Sequence, residues 1–101
     1  MLLYRAVSNA ECQEAIQLGE LRTIPGATEG KWFAENLNDA RLWGLWFTGI
    51  TGVAHDKILV VSLSDRIASQ LFRLTMLDNI GPARFADASE LVEFEIFEVR
   101  T

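Results

Sequence analysis

Residues 57–63 read KILVVSL, a run that is apolar on both sides of an extended backbone. Side chains alternate across a strand with period two, so a run of this kind predicts a central strand buried on both faces. The chain has 101 residues, half of them hydrophobic and 23% charged, which fits one globular domain (1–101) with one core. There is little spare core, so most large apolar residues are expected to be structural.

The other elements are read around that strand. LLYRAV (2–7) predicts a second strand, and Ser8 opens SNAE, a capping box with Glu11. The helix that follows is expected over about 9–18, ended by Gly19, burying Ala10, Ile16 and Leu18 or their near neighbours. ELRTI (20–24) reads as a short extended piece, PGATEG (25–30) as a loop and KWFAE (31–35) as a short strand. Asn36 or Asn38 caps a second helix carrying Ala40, Leu42 and Trp43, which ends at Gly44 or runs on through LWF. TGITGVAH (48–55) reads as a flexible loop, and Ser64 caps a third helix over DRIASQLF. DNIGPAR (78–84) is a turn by composition, ASEL (88–91) one helical turn, and VEFEIFEV (92–99) a strand with one acidic face. Short strands with uneven connections predict an α+β domain, helices packed on a split or twisted sheet.

The net charge is −5, with 14 acids against 9 bases, which argues against a nucleic-acid module or an anionic membrane surface. Cys12 is the lone cysteine, so no internal disulfide and no thiol pair for a metal is expected; this fits a reducing cytoplasm. MLLYRAV is not read as a signal peptide, and no stretch approaches the roughly 20 apolar residues that span a bilayer, so a soluble chain is expected. No metal motif, GxGxxG or P-loop occurs. His55, with Asp56 beside it, reads as an ordinary solvated loop residue, and Cys12 as a small buried or half-buried helix residue.

Three features remain as candidates for chemistry. Arg5 sits inside the first strand and needs a partner for its permanent charge: a phosphate, Glu93 or Glu95, or solvent at a sheet edge. Period two puts Glu93 and Glu95 on one face of the last strand. There they are either solvated or, lining a cleft, able to hold a ribose hydroxyl and stabilise a cationic transition state. Trp32 and Phe33 point to opposite sides of their strand, so one ring can enter the core while the other faces a cleft and stacks on a flat heterocycle.

In order along the chain these pieces resemble the ADP-ribosyltransferase superfamily. LGELRTIPGATEGKWFAENLNDARLWG (18–44) is similar to the middle block of the poly-ADP-ribose polymerase and diphtheria-toxin branch, a G-L-R…P…G-x-x-Y-F-A-[DE] strand followed by a helix. LYRAV takes the place of the first strand, which carries His in that branch and Arg in the arginine-bearing branch, and E-x-E resembles the arginine-modifying toxins. The whole run also looks like small domains of bacterial polymorphic toxins. Trp stands where the family has Tyr, and no Ser-Thr-Ser motif accompanies Arg5.

The resemblance implies an ADP-ribosyltransferase-like split β-sheet or sandwich with a few short helices, and NAD as substrate. It implies that Arg5 holds the pyrophosphate or adenosine ribose, that Trp32 packs on nicotinamide with Phe33 supporting the strand, and that the backbone around Ala6 grips the nicotinamide amide. Glu95, or else Glu93, would orient the nicotinamide ribose and favour its oxocarbenium-like state, with Glu90 a third candidate. The implied activity is mono-ADP-ribosyl transfer to an acceptor, expected to be a protein, or NAD glycohydrolysis. It would belong to a cytoplasmic protein, or to a toxin delivered into a target cell and countered by an antitoxin or immunity protein. The same fold retained as a non-catalytic reader of NAD or ADP-ribose, and a plain interaction domain, stand as alternatives.

Overall fold

The computed structural model describes residues 1–19, 21, 30–87 and 90–99. Among these residues six strands and three helices follow in the order β1 (Leu2–Val7), α1 (Asn9–Leu18), β2 (Gly30–Ala34), α2 (Leu37–Thr51), β3 (Lys57–Ser62), α3 (Asp65–Gln70), β4 (Phe72–Leu77), β5 (Gly81–Asp87) and β6 (Glu95–Glu98). The strands form one antiparallel sheet in the order β4-β5-β2-β1-β3-β6, which makes the domain α+β.

The both-face apolarity of 57–63 has a direct cause. Leu59 and Val61 point to the side covered by α1 and α3, where they join Leu3, Val7, Phe33, Cys12, Ala15, Ile67 and Ala68. Ile58 points to the side covered by α2, with Ala6, Ala34, Ala83, Ala40 and Trp43. Each helix begins where a polar side chain accepts an otherwise unpaired amide: Ser8 from Glu11, Asn36 from Asp39, Ser64 from Ile67.

Five expectations are corrected. α1 buries Cys12 and Ala15, while Ala10, Ile16 and Leu18 face outward. α2 runs on past Gly44 through LWF, the second of the two readings, and the loop expected over 48–55 is corrected, since 48–51 are helical. The Thr48 and Thr51 hydroxyls donate to the carbonyls of Gly44 and Phe47, so neither competes with the helix, and Gly52 ends it in the left-handed conformation. α3 stops at Gln70 because Leu71 turns extended and buries its side chain.

The stretch 72–87 is a hairpin, with its turn confined to 78–80 and β5 starting at Gly81. Asp78 and Asn79 both have positive φ, and the Ile80 amide donates to the Leu77 carbonyl, the geometry that matches the twist of paired strands. Pro82 is tolerated because the β4–β5 register shifts between Leu74 and Leu77, opposite it. Last, β6 is regular only from Glu95: Glu93 has φ 53°, so period two is broken between the two glutamates and they are not a same-face strand pair. The pieces expected over 20–24 and 25–30 fall outside the described residues except at Leu21 and Gly30, as do Ala88 and Ser89 of the expected turn over 88–91.

Candidate functional site

The sheet is least paired at its middle. β1 and β2 meet in register only at Tyr4 and Ala34, whereas β1 matches β3 over six positions and β2 matches β5 over five. Continuing the β1–β2 register would set Ala6 opposite Trp32; there the strands part, and a cavity of about 80 Å³ opens on the α2 side. Its base is made of small residues, Ala6, Ala34, Ala40 and Ala83, and its walls of Tyr4, Trp32, Trp43 and Phe47. Arg5 and Asp78 are the charged residues of the lining, which Phe33 and Leu77 complete; Arg5 alternates with Tyr4 and Ala6 along β1, so its side chain leaves toward α1 and it borders the cavity from the split.

Each wall is held from behind. The Trp32 indole makes edge contacts with Phe85 at 5.2 Å and Phe72 at 6.1 Å between centroids. Phe85 in turn lies over Gly30, where a Cβ would sit 2.0 Å from the ring, so glycine is what lets the ring brace Trp32. Trp43 Nε1 donates to Asp78 Oδ2 at 3.1 Å, pinning the hairpin turn against α2. Gly44 lets α2 come down onto β1, and Gly81 leaves space for the Asp39 carboxylate at the start of the helix.

Arg5 lies at the split. Its Nη1 donates to the Trp32 carbonyl at 3.2 Å and its Nε to Glu11 Oε2 at 3.4 Å, so the side chain bridges the two strands where they separate. Lys31 Nζ binds the other oxygen of Glu11 at 3.2 Å. Burial alone would raise the Glu11 carboxyl, but Arg5 and Lys31, by charge and by hydrogen bonds, outweigh it and hold the group below the ordinary carboxylate value. Arg5, Lys31 and Glu11 together carry one surplus positive charge in a chain of net charge −5. An anion at the split meets that surplus, and the guanidinium fork has five donors, of which Nε and Nη1 are engaged by these contacts.

Glu35, next along from β2, is lowered by the hydrogen bonds from Arg73 first, against some desolvation, and then by those from Arg84. The folded values of Glu11 and Glu35 lie below the unfolded ones, so the native state binds fewer protons than the unfolded chain in the acid range. Stability is therefore whole above the ordinary carboxylate pKa and is lost as pH falls through the lowered values. Urea unfolding across a pH series from about 3 to 7 should show this acid limb, and Glu11→Gln should make it shallower. An unchanged limb would mean that Glu11 is not held ionised by the folded structure.

Four of the residues singled out in the sequence, Arg5, Ala6, Trp32 and Phe33, line one cavity. Phe33 is 1% exposed and faces the α1 side of the core, while Trp32 stands on the α2 side. Arg5 is on a central strand and pairs with Glu11, not with Glu93 or Glu95. Glu95 and Glu93 are not brought to the cavity. Glu95 pairs with Ser62 on the outer strand β6, three strands from β2, or about 14 Å at ordinary strand spacing; both glutamates are exposed. Glu90 is engaged locally, accepting the Asp87 amide at 3.1 Å.

Asp78 is the cavity's carboxylate, and nothing in the motif pattern marked it; the only signal was Asp-Asn as turn residues. His55 contacts the Val53 carbonyl through Nδ1 at 2.7 Å and stands at a second, wider hollow of about 760 Å³ between α2, β3 and β6, where Arg41, Asp56, Lys57 and Glu98 mix their charges. Cys12 is buried, and burial first, then its hydrogen bond to Glu98, pushes the thiol up to about 11, which suits a packed residue rather than a nucleophile. Among the described residues no three His, Cys, Asp or Glu side chains cluster as metal ligands do, and no helix is long and apolar enough to cross a membrane. Comparisons with family models, with curated proteins and with solved structures give no match.

Proposed function

We propose that this is an ADP-ribosyltransferase-like domain whose ligand is NAD or a related ADP-ribose-bearing nucleotide, bound at the β1–β2 split. The observation that carries this is that Arg5, Ala6, Trp32 and Phe33 all border one cavity where the sheet parts, the Trp32 ring on its α2 side and the Arg5 side chain at the split. A split sheet with these residues at the split is what the likeness of LYRAV and GKWFAE implies. The cavity is smaller than the roughly 300–1,000 Å³ of whole small-molecule sites, so it suits one flat ring, with the remainder of the dinucleotide along the open split. Trp32 is the stacking wall, the backbone near Ala6 the grip on the ring's amide, and Arg5 the partner of the phosphates.

Titration calorimetry with NAD and with ADP-ribose tests the binding. Arg5→Gln and Trp32→Ala should each weaken it about tenfold or more, the size of a lost charge-assisted pair or ring stack. A wild-type chain that binds neither nucleotide would end the proposal.

Turnover is a second reading, favoured by Asp78. A carboxylate at a cavity that takes the nicotinamide ring can stabilise positive charge on the ribose as nicotinamide leaves, with an acceptor side chain or water capturing the sugar carbon. Nicotinamide release from NAD should then fail in Asp78→Asn and persist in Glu95→Gln and Glu93→Gln. Loss in the β6 variants with Asp78→Asn unaffected would return that role to the glutamates. Binding without any release would leave a nucleotide reader.

A further inference from the structure

α2 is apolar on the side that faces away from the sheet as well as on the side that packs against it. Leu42, Leu45, Trp46, Gly49 and Ile50, with Val53 just past the helix, recur at helical spacing, and the five side chains among them are 45–72% exposed. From 42 to 53 the chain carries no charged residue, although its net charge is −5. The five side chains leave on the order of 600 Å² open to solvent, the upper end of what a monomer ordinarily shows.

We infer that this stripe is the interface of a two-fold homodimer, one α2 laid antiparallel on the other. The stripe is self-complementary about an axis between Trp46 and Gly49. Antiparallel pairing sets Leu42 against Val53 of the second copy, Leu45 against Ile50 and Trp46 against Gly49, and each contact then occurs twice. The last pair is the specific one. A Cβ at Gly49 would meet nothing within 4 Å, so the glycine is an open notch, and the half-exposed Trp46 indole of the other copy is the group that fills it. The uncharged stripe lets two acidic copies approach without like charges opposed at the contact, and antiparallel helices oppose their dipoles favourably. Two such faces bury about 1,200 Å², the lower edge of stable specific interfaces, so a concentration-dependent dimer in the micromolar range is expected rather than an obligate one. The inference is independent of what binds at the β1–β2 split.

Sedimentation equilibrium of the full chain over a micromolar dilution series tests it. The wild type should shift from monomer to dimer. Leu45→Glu, at the most exposed position, and Gly49→Gln, which fills the notch without meeting its own fold, should each raise the dimer dissociation constant at least about tenfold while circular dichroism stays unchanged. Gly49→Gln keeps the test decisive if Leu45→Glu fails to fold. A wild type that remains monomeric would assign this face to another partner and overturn the inference, as would a dimer that Gly49→Gln leaves intact.

Discussion

Gly44→Ala is expected to lower the stability of the domain by about 2 kcal/mol, the size of an overpacking cost, although glycine in a helix interior is ordinarily worse than alanine. The added Cβ would lie 2.5 Å from the His55 carbonyl oxygen and 3.1 Å from Ala6 Cβ. The first of these is backbone and is tethered, since the His55 amide donates to Thr48 Oγ1 on the next turn of the same helix. Relief therefore requires α2 to lift from β1. Gly49, five residues on, is the internal comparison: nothing lies within 4 Å of its would-be Cβ, so Gly49→Ala should gain about 0.5–1 kcal/mol. For a domain of this size the pair should part by roughly 10 °C or more in melting temperature, one variant falling and the other rising. Thermal denaturation followed by tryptophan fluorescence at nanomolar concentration, below the expected dimer range, reads this directly. A shift of both variants in the same direction would mean that α2 is not seated on β1 through Gly44.

Glu35→Gln is the second large effect. Its carboxylate accepts from Arg73 Nε at 2.6 Å, Arg73 Nη2 at 3.1 Å and Arg84 Nε at 2.8 Å. Arg73 and Arg84 face each other directly across β4 and β5, so the glutamate is what separates two like charges. Arg84 also donates to the Ala68 carbonyl at 2.6 Å, which fastens α3 to the same point. A loss of about 2 kcal/mol is expected, less than the roughly 3–5 kcal/mol of a fully buried pair because water screens the exposed Arg73 side. Adding Arg73→Gln removes one of the opposed charges and should recover part of that loss in urea unfolding at neutral pH. A single variant as stable as the wild type would show that the backbone ladder and apolar contacts hold the hairpin to β2 without help from these ion pairs.

What was legible in the sequence was local. The three helix starts rest on side chains that bond an amide three residues away, and Ser8, Asn36 and Ser64 announce them without any tertiary knowledge. β3 was legible because burial on both faces leaves no polar alternation to misread. The hairpin was hidden by Gly81 and Pro82, which read as a turn until a register shift gives the proline a place inside the sheet. Gly44 could be read either as a stop or as helix interior, because the contact that makes glycine necessary there comes from His55 and Ala6, outside the helix. At the cavity, Arg5, Trp32 and Phe33 stood out because charge within a strand and paired aromatics are conspicuous. The partner of Arg5 was not legible: Glu11 reaches it only because α1 packs back over β1. Asp78 was equally hidden, since its place depends on the β4–β5 turn folding against Trp43.

Binding of a nicotinamide or adenosine dinucleotide at the β1–β2 split can be read from the three tryptophan indole resonances in a ¹⁵N–¹H spectrum titrated with NAD. Trp32 and Trp43 line the cavity, and Trp46 is on the far side of α2 and serves as the control within the same molecule. Saturable shifts of the Trp32 and Trp43 signals are expected with Trp46 unmoved, and Arg5→Gln should move their midpoint to about tenfold more NAD or beyond. Three stationary signals, or a shift confined to Trp46, would contradict binding at the split.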